Sequence, residues 1–131
     1  MERNYFDQTE IEQMLGDAVK QMGISKNVFT GSRPRSVAES MKDFIVVKIY
    51  GSISDLHAYG RTTCSIHLFA RDVQNQKNGK RLSIMQKKLY SNLSNAIDKL
   101  ILGDATVMAD AYDDVGFHAR IINFSTTIKI I

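Results

Sequence analysis

A chain of 131 residues with 17 basic and 14 acidic side chains, 44% hydrophobic and 24% charged, is too apolar to stay disordered and suits one domain over residues 1–131. Its single cysteine excludes an intrachain disulfide framework and a multi-cysteine zinc site, and a net charge of +3 is too small a bias to demand a nucleic-acid partner. The opening MERNYFDQTE lacks the apolar centre of a signal peptide, and no apolar run nears the roughly 20 residues that cross a bilayer, so a soluble, intracellular protein without a membrane partner is expected.

The first element is an amphipathic helix. Asp7 and Glu10 have the spacing of a capping box, and Phe6 and Ile11 that of a hydrophobic staple. Ile11, Met14, Leu15, Ala18, Val19 and Met22 recur at helical spacing, while Glu12, Gln13, Asp17, Lys20 and Gln21 form the expected polar face. Gly23 is placed to end the helix.

Periodicity then dissolves. Residues 24–42, with the chain's only proline in TGSRPRSVAES, read as an extended arm or loop. DFIVVKIYG follows, a strand whose unbroken apolar run suits cover on both faces, and SISDLHAY reads as a hairpin tip.

From Arg61 to Arg71 the residues alternate, Cys64, Ile66, Leu68 and Ala70 pointing one way and Arg61, Thr63, Ser65, His67 and Phe69 the other. Cys64 and His67 therefore face opposite sides of the sheet and cannot form a nucleophile–base pair in a regular strand. A buried thiol is expected at Cys64 and an exposed imidazole at His67.

DVQNQKNGK reads as a polar loop, so residues 71–80 form a polar, basic connection. Leu82, Met85, Leu89, Leu93, Ala96, Ile97 and Leu100 repeat at steps of three and four and predict one long helix ended by Gly103-Asp104. ATVMADAY and FHARIINFSTTIKII are the last two strands, joined by the turn DDVG. Phe117, Ala119 and Ile121 share one phase of the last strand and Ile122, Phe124, Ile128 and Ile130 the other, so a β-bulge or a change of covering surface is expected at Ile121-Ile122. So apolar a strand is a liability as a bare edge, and a neighbouring subunit is a candidate to pair it. The order α-β-β-α-β-β describes an α+β domain, a mainly antiparallel sheet with an N-terminal helix and one long helix packed on it.

Chemistry is sparse in this pattern. Asp110, Asp113, Asp114 and His118 are the only acidic–histidine cluster, in a setting where aspartates commonly serve the turn itself. No glycine-rich phosphate loop or nucleophile motif is present. No catalytic, cofactor or metal residue is therefore assigned, and no enzyme is expected. Arg71, Lys77, Lys80, Arg81, Lys87 and Lys88 fall within eighteen positions against one acid, Asp72. A solvated face, a docking loop for an acidic protein surface (Arg71, Lys77, Lys80 and Arg81), and a small nucleic-acid-binding module over 71–88 are the three readings of that run. It lacks interleaved stacking aromatics.

The ordering of elements resembles a known group. The N-terminal helix, the arm with SRP, the strand DFIVVKI, the alternating strand ending IHLFARD, the helix LSIMQKKLYSNLSNAI and the closing hairpin are similar to the tail terminator, or tail-completion, proteins of long-tailed bacteriophages and prophages. The wider group of minor tail and head–tail joining proteins shares the pattern. The resemblance implies a virion subunit, made in the host cytoplasm, that forms a ring, typically hexameric, at the head-proximal end of the tail. It implies contact with the major tail tube protein and head connector proteins, DNA passing through the ring, and no cofactor. Under it, Arg33 and Arg35 on the arm and Phe124, Ile128 and Ile130 on the last strand are the candidate subunit interface.

Overall fold

The structure is a computed structural model and describes residues 3–113 and 115–130. Its elements are α1 (Gln8–Gln21), β1 (Val28–Thr30), β2 (Asp43–Asp55), β3 (Tyr59–Arg71), α2 (Gly79–Asn92), β4 (Ala96–Ile97), β5 (Leu100–Val107), β6 (Ala111–Tyr112) and β7 (Phe117–Lys129). The α+β expectation holds. One sheet runs β1-β2-β3-β7-β5-β4, with β6 also paired to β7, and among the described residues only the β1–β2 pairing is parallel.

Helix α1 forms as its caps require. Asp7 is the N-cap and accepts from the Thr9 amide at 3.0 Å, and Gly23 follows the C-cap at φ +68°. Ile11, Leu15 and Val19 are buried from the helix side, with Leu82, Met85 and Leu89 of α2 beside them. Beneath them lie Ile45 and Val47 of β2, Cys64, Ile66 and Leu68 of β3, and Ile122, Phe124 and Ile128 of β7. Both helices thus cover the same face.

The opposite face carries a second, smaller core of Phe44, Val46, Phe69, Phe117 and Ala119. The arm covers it, with Phe29, Val37 and Met41 packed on top. Two-sided cover explains the unbroken apolar run of β2, whose residues from Phe44 to Val47 are all buried. It also explains the parity change in β7. Phe117 and Ala119 serve the arm side, and Ile122, Phe124 and Ile128 the helix side. Of the two expected causes, a bulge at Ile121-Ile122 is absent, because β7 runs beside β3 in unbroken register from Tyr59 opposite Lys129 to Arg71 opposite Phe117. The change is one of covering surface alone.

Two expectations about elements are corrected. The second helix stops at Asn92 rather than Gly103, and the rest of its predicted stripe forms the β4–β5 hairpin, turned at Asp98 with φ +52°. Leu100 still reaches the helix-side core, from a strand. The last strand is paired, but not by a neighbouring subunit: β7 lies between β3 and β5 and finds both partners within the chain.

Candidate functional site

Cys64 sits where alternation places it, 1% exposed on the helix side, and burial pushes its thiol up from the ordinary value. His67 lies on the other face, but it is half-buried rather than exposed as expected, its ring facing Phe69 at 6.3 Å. Ser65, fully buried, donates its hydroxyl proton to Asn123 Oδ1 at 2.7 Å. Its oxygen is then free to accept from His67 Nε2–H at 2.8 Å. That polarity is the reverse of an activated serine, whose proton would go to the histidine. Burial, helped by Lys48, lowers the His67 pKa from 6.5 to about 4. The folded state therefore keeps His67 neutral where the unfolded chain protonates it. Stability from this site is complete above pH 6.5 and is lost as pH falls from 6.5 through about 4. Melting temperatures across that window should fall less steeply for His67→Gln than for the parent chain. Parallel curves would remove the assignment.

The acidic–histidine cluster is dispersed. Asp110 takes both Arg120 nitrogens, Nε and Nη2, at 2.8 Å each, and Lys77 Nζ at 3.1 Å. Hydrogen bonding to Arg120 holds its carboxyl below the usual value of 3.8, and Arg120 is raised in return. Asp113 accepts the Val115 and Phe117 amides through Oδ1 and lies 3.3 Å from Arg33 through Oδ2. His118 Nδ1 meets Asp72 Oδ1 at 2.7 Å beside the Tyr112 ring. Asp114 lies outside the described residues. Among the described residues, no three histidine, cysteine or acidic side chains converge as metal ligands.

Half of the basic run is engaged within the fold. Arg71 stacks on Phe117 at 4.5 Å and donates to the Met41 and Ala38 carbonyls, so it anchors the arm. Arg81 pairs with Asp43 at 2.8 Å and donates to the Ile24 carbonyl. Lys77, itself exposed, holds Asp110, and Lys80, Lys87 and Lys88 are exposed as well. The loop itself is tight. Val73 and Gln76 exchange backbone hydrogen bonds around Gln74 and Asn75, both at positive φ, the geometry of a two-residue hairpin turn. Asn78 then caps α2 by accepting from the Arg81 amide at 3.1 Å.

The candidate interface residues have different settings. Arg33 lies over Phe44 and Phe69 at 5.4 and 5.6 Å and is half-buried, whereas Arg35 is exposed. Phe124 and Ile128 are buried in the helix-side core. Ile130 is 37% exposed and lines a hollow of about 300 Å³ with Phe6, Glu10 and Lys99.

Sequence reasoning missed Glu12. It was expected on the polar face of α1, yet it is 7% exposed and accepts the Ile49 amide at 3.0 Å. Parallel pairing with β1 ends at Val47, so Glu12 caps the next inward-facing step of the β2 edge. No local pattern marks a helix residue that serves a distant strand.

No protein-family model matches the chain, and no curated protein matches it. Among solved structures, it is similar to a chain in the virion of a native gene transfer agent particle, with a TM-score of 0.53 at 10% identity. The match covers 88% of this chain and 94% of that one. The likeness is one of fold.

Proposed function

We propose that the protein is a structural subunit of a tailed, phage-like virion, one that completes the tail tube and joins it to the head connector as a ring of its own copies, typically six. The fold likeness to a gene transfer agent virion chain, running over nearly the whole of both chains, is the observation that supports this reading. A particle subunit needs rigid surfaces more than a reactive centre, and the aspartates of this chain's acidic–histidine cluster that are described, Asp110 and Asp113, are held in internal ion pairs and a turn. The nucleic-acid alternative over 71–88 loses force because Arg71, Lys77 and Arg81 are occupied within the fold. The tail tube protein and the head connector are the proposed neighbours, with DNA only in transit.

Disrupting the gene in the genome that encodes it and examining lysates by negative-stain electron microscopy tests the proposal. Tails of uncontrolled length, or heads without tails, are the expected result. Normal particles in normal numbers would reject it.

A further inference from the structure

The sheet has two open flanks, and they differ in character. On one side β5 loses its outer partner after Leu102, whose amide bonds to the Asn95 carbonyl. From Gly103 to Val107 no backbone hydrogen bond leaves the outer edge among the described residues. Strand edges are normally guarded by lysine, proline or a covering element. A bulge between Leu102 and Ala105 interrupts this one, but residues 100–119 contain no lysine, arginine or proline, and Val107 and Met108 are 43% and 49% exposed. Such an edge in a soluble chain calls for an extended partner.

On the far side, β2 is covered by β1 only from Ile45 to Val47, and Glu12 closes the step at Ile49. Beyond it, Tyr50 to Ser54 present a second outer edge, bulged where the register with β3 shifts and Gly51 takes φ +81°, with no outer backbone partner among the described residues. It too lacks lysine, arginine and proline, and Tyr50 is 62% exposed. The flanks also differ in charge. Asp104 is exposed at the β5 edge, and Arg61 is exposed behind the β2 edge, opposite Ser54. Neither is in an ion pair among the described residues.

We infer that the occupant of each edge is a second copy of this chain, the β5 edge of one copy adding to the Tyr50–Ser54 edge of the next. Main-chain hydrogen bonding supplies the affinity in such strand addition, and Asp104 meeting Arg61 favours this order over β5 against β5, where Asp104 would face its own kind. Because the edges lie on opposite flanks, the contact is head-to-tail and repeats around a ring when the rotation closes. The inference rests on the ring reading above and moves the interface from the last strand to these two edges.

Single-cysteine variants Thr106→Cys and Ser54→Cys, mixed and treated with a short bis-maleimide, test it; both positions are exposed, and buried Cys64 serves as the silent background. The mixture should give at least about tenfold more cross-linked dimer than either variant alone. Val107→Lys, which guards the edge, should raise the concentration needed for association by about tenfold while leaving the circular dichroism spectrum unchanged. Cross-linking of Thr106→Cys with itself, absence of the mixed product, or association indifferent to Val107→Lys would each overturn the edge assignment. Those outcomes stay separate from the particle phenotype, since a chain that rings through another surface would still give aberrant tails when its gene is lost.

Discussion

Phe44→Ala is expected to cost about 3–5 kcal/mol of stability, the range for emptying a fully buried aromatic site. Phe44 is fully buried and is the hub of the arm-side core, stacked on Phe69 at 4.3 Å and edge-on to Phe117 at 5.1 Å and Phe29 at 6.0 Å. Each aromatic pair adds roughly 0.5–1.5 kcal/mol beyond area burial. The substitution also removes half of the platform beneath Arg33, so the arm should loosen as the core does. Urea unfolding measures the loss, and hydrogen exchange at Val37 to Met41 reports the arm. Tyr90→Ala, at a site 49% exposed, is the control and should stay within about 0.5 kcal/mol of the parent. Equal effects at the two positions would contradict a core on both faces.

Asp110→Asn should be the most damaging polar change, at about 2–3 kcal/mol. The Asp110 side chain is 7% exposed and binds Arg120 through both oxygens, with Lys77 as a third contact. Removing its charge leaves Arg120, 15% exposed, without its counter-ion. A fully buried pair broken in this way costs about 3–5 kcal/mol, and the remaining bonds from Arg120 to Ser83 and Gln86 keep the loss below that. Arg120→Gln in the same chain should restore part of it, because the uncompensated charge goes too. Acid unfolding gives an independent check. The folded-state pKa of Asp110 is depressed below 3.8, so its stabilisation is present above that value and is lost as pH falls through the lower one. The acid limb below pH 4 should therefore be shallower in Asp110→Asn. An unchanged limb would mean that this pair does not carry the linkage.

The contrast between what the residues announced and what they concealed is physical. Alternation and capping act within a few positions, so α1, β2, β3 and the sidedness of Cys64 could be read directly. The two phases of β7 were visible as well, and only their cause, an arm on one side and helices on the other, needed the assembled fold. The second helix was overextended because Leu93, Ala96, Ile97 and Leu100 fit a helical stripe. The Ser-Asn-Leu-Ser-Asn stretch, poor in helix formers, and Asp98 in a left-handed turn were the competing signals. The engagement of Arg71, Lys77 and Arg81 was hidden, since their partners at Met41, Asp110 and Asp43 are about thirty or more positions away. The half-burial of His67 arises in the same way, from Ser65 and Asn123 meeting across strands.

The place of β7 between β3 and β5 governs how the molecule comes into being. Neither neighbour can bond to the other, and the strand that joins them is synthesised after every other described element. While the ribosome is still extending the chain, β3 and β5 wait with unsatisfied flanks, and their apolar residues are open to off-pathway encounters. Closure must then bring distant segments together at once, which slows it relative to helical proteins of this size. Each newly made copy thus completes its sheet only once β7 has slotted between β3 and β5.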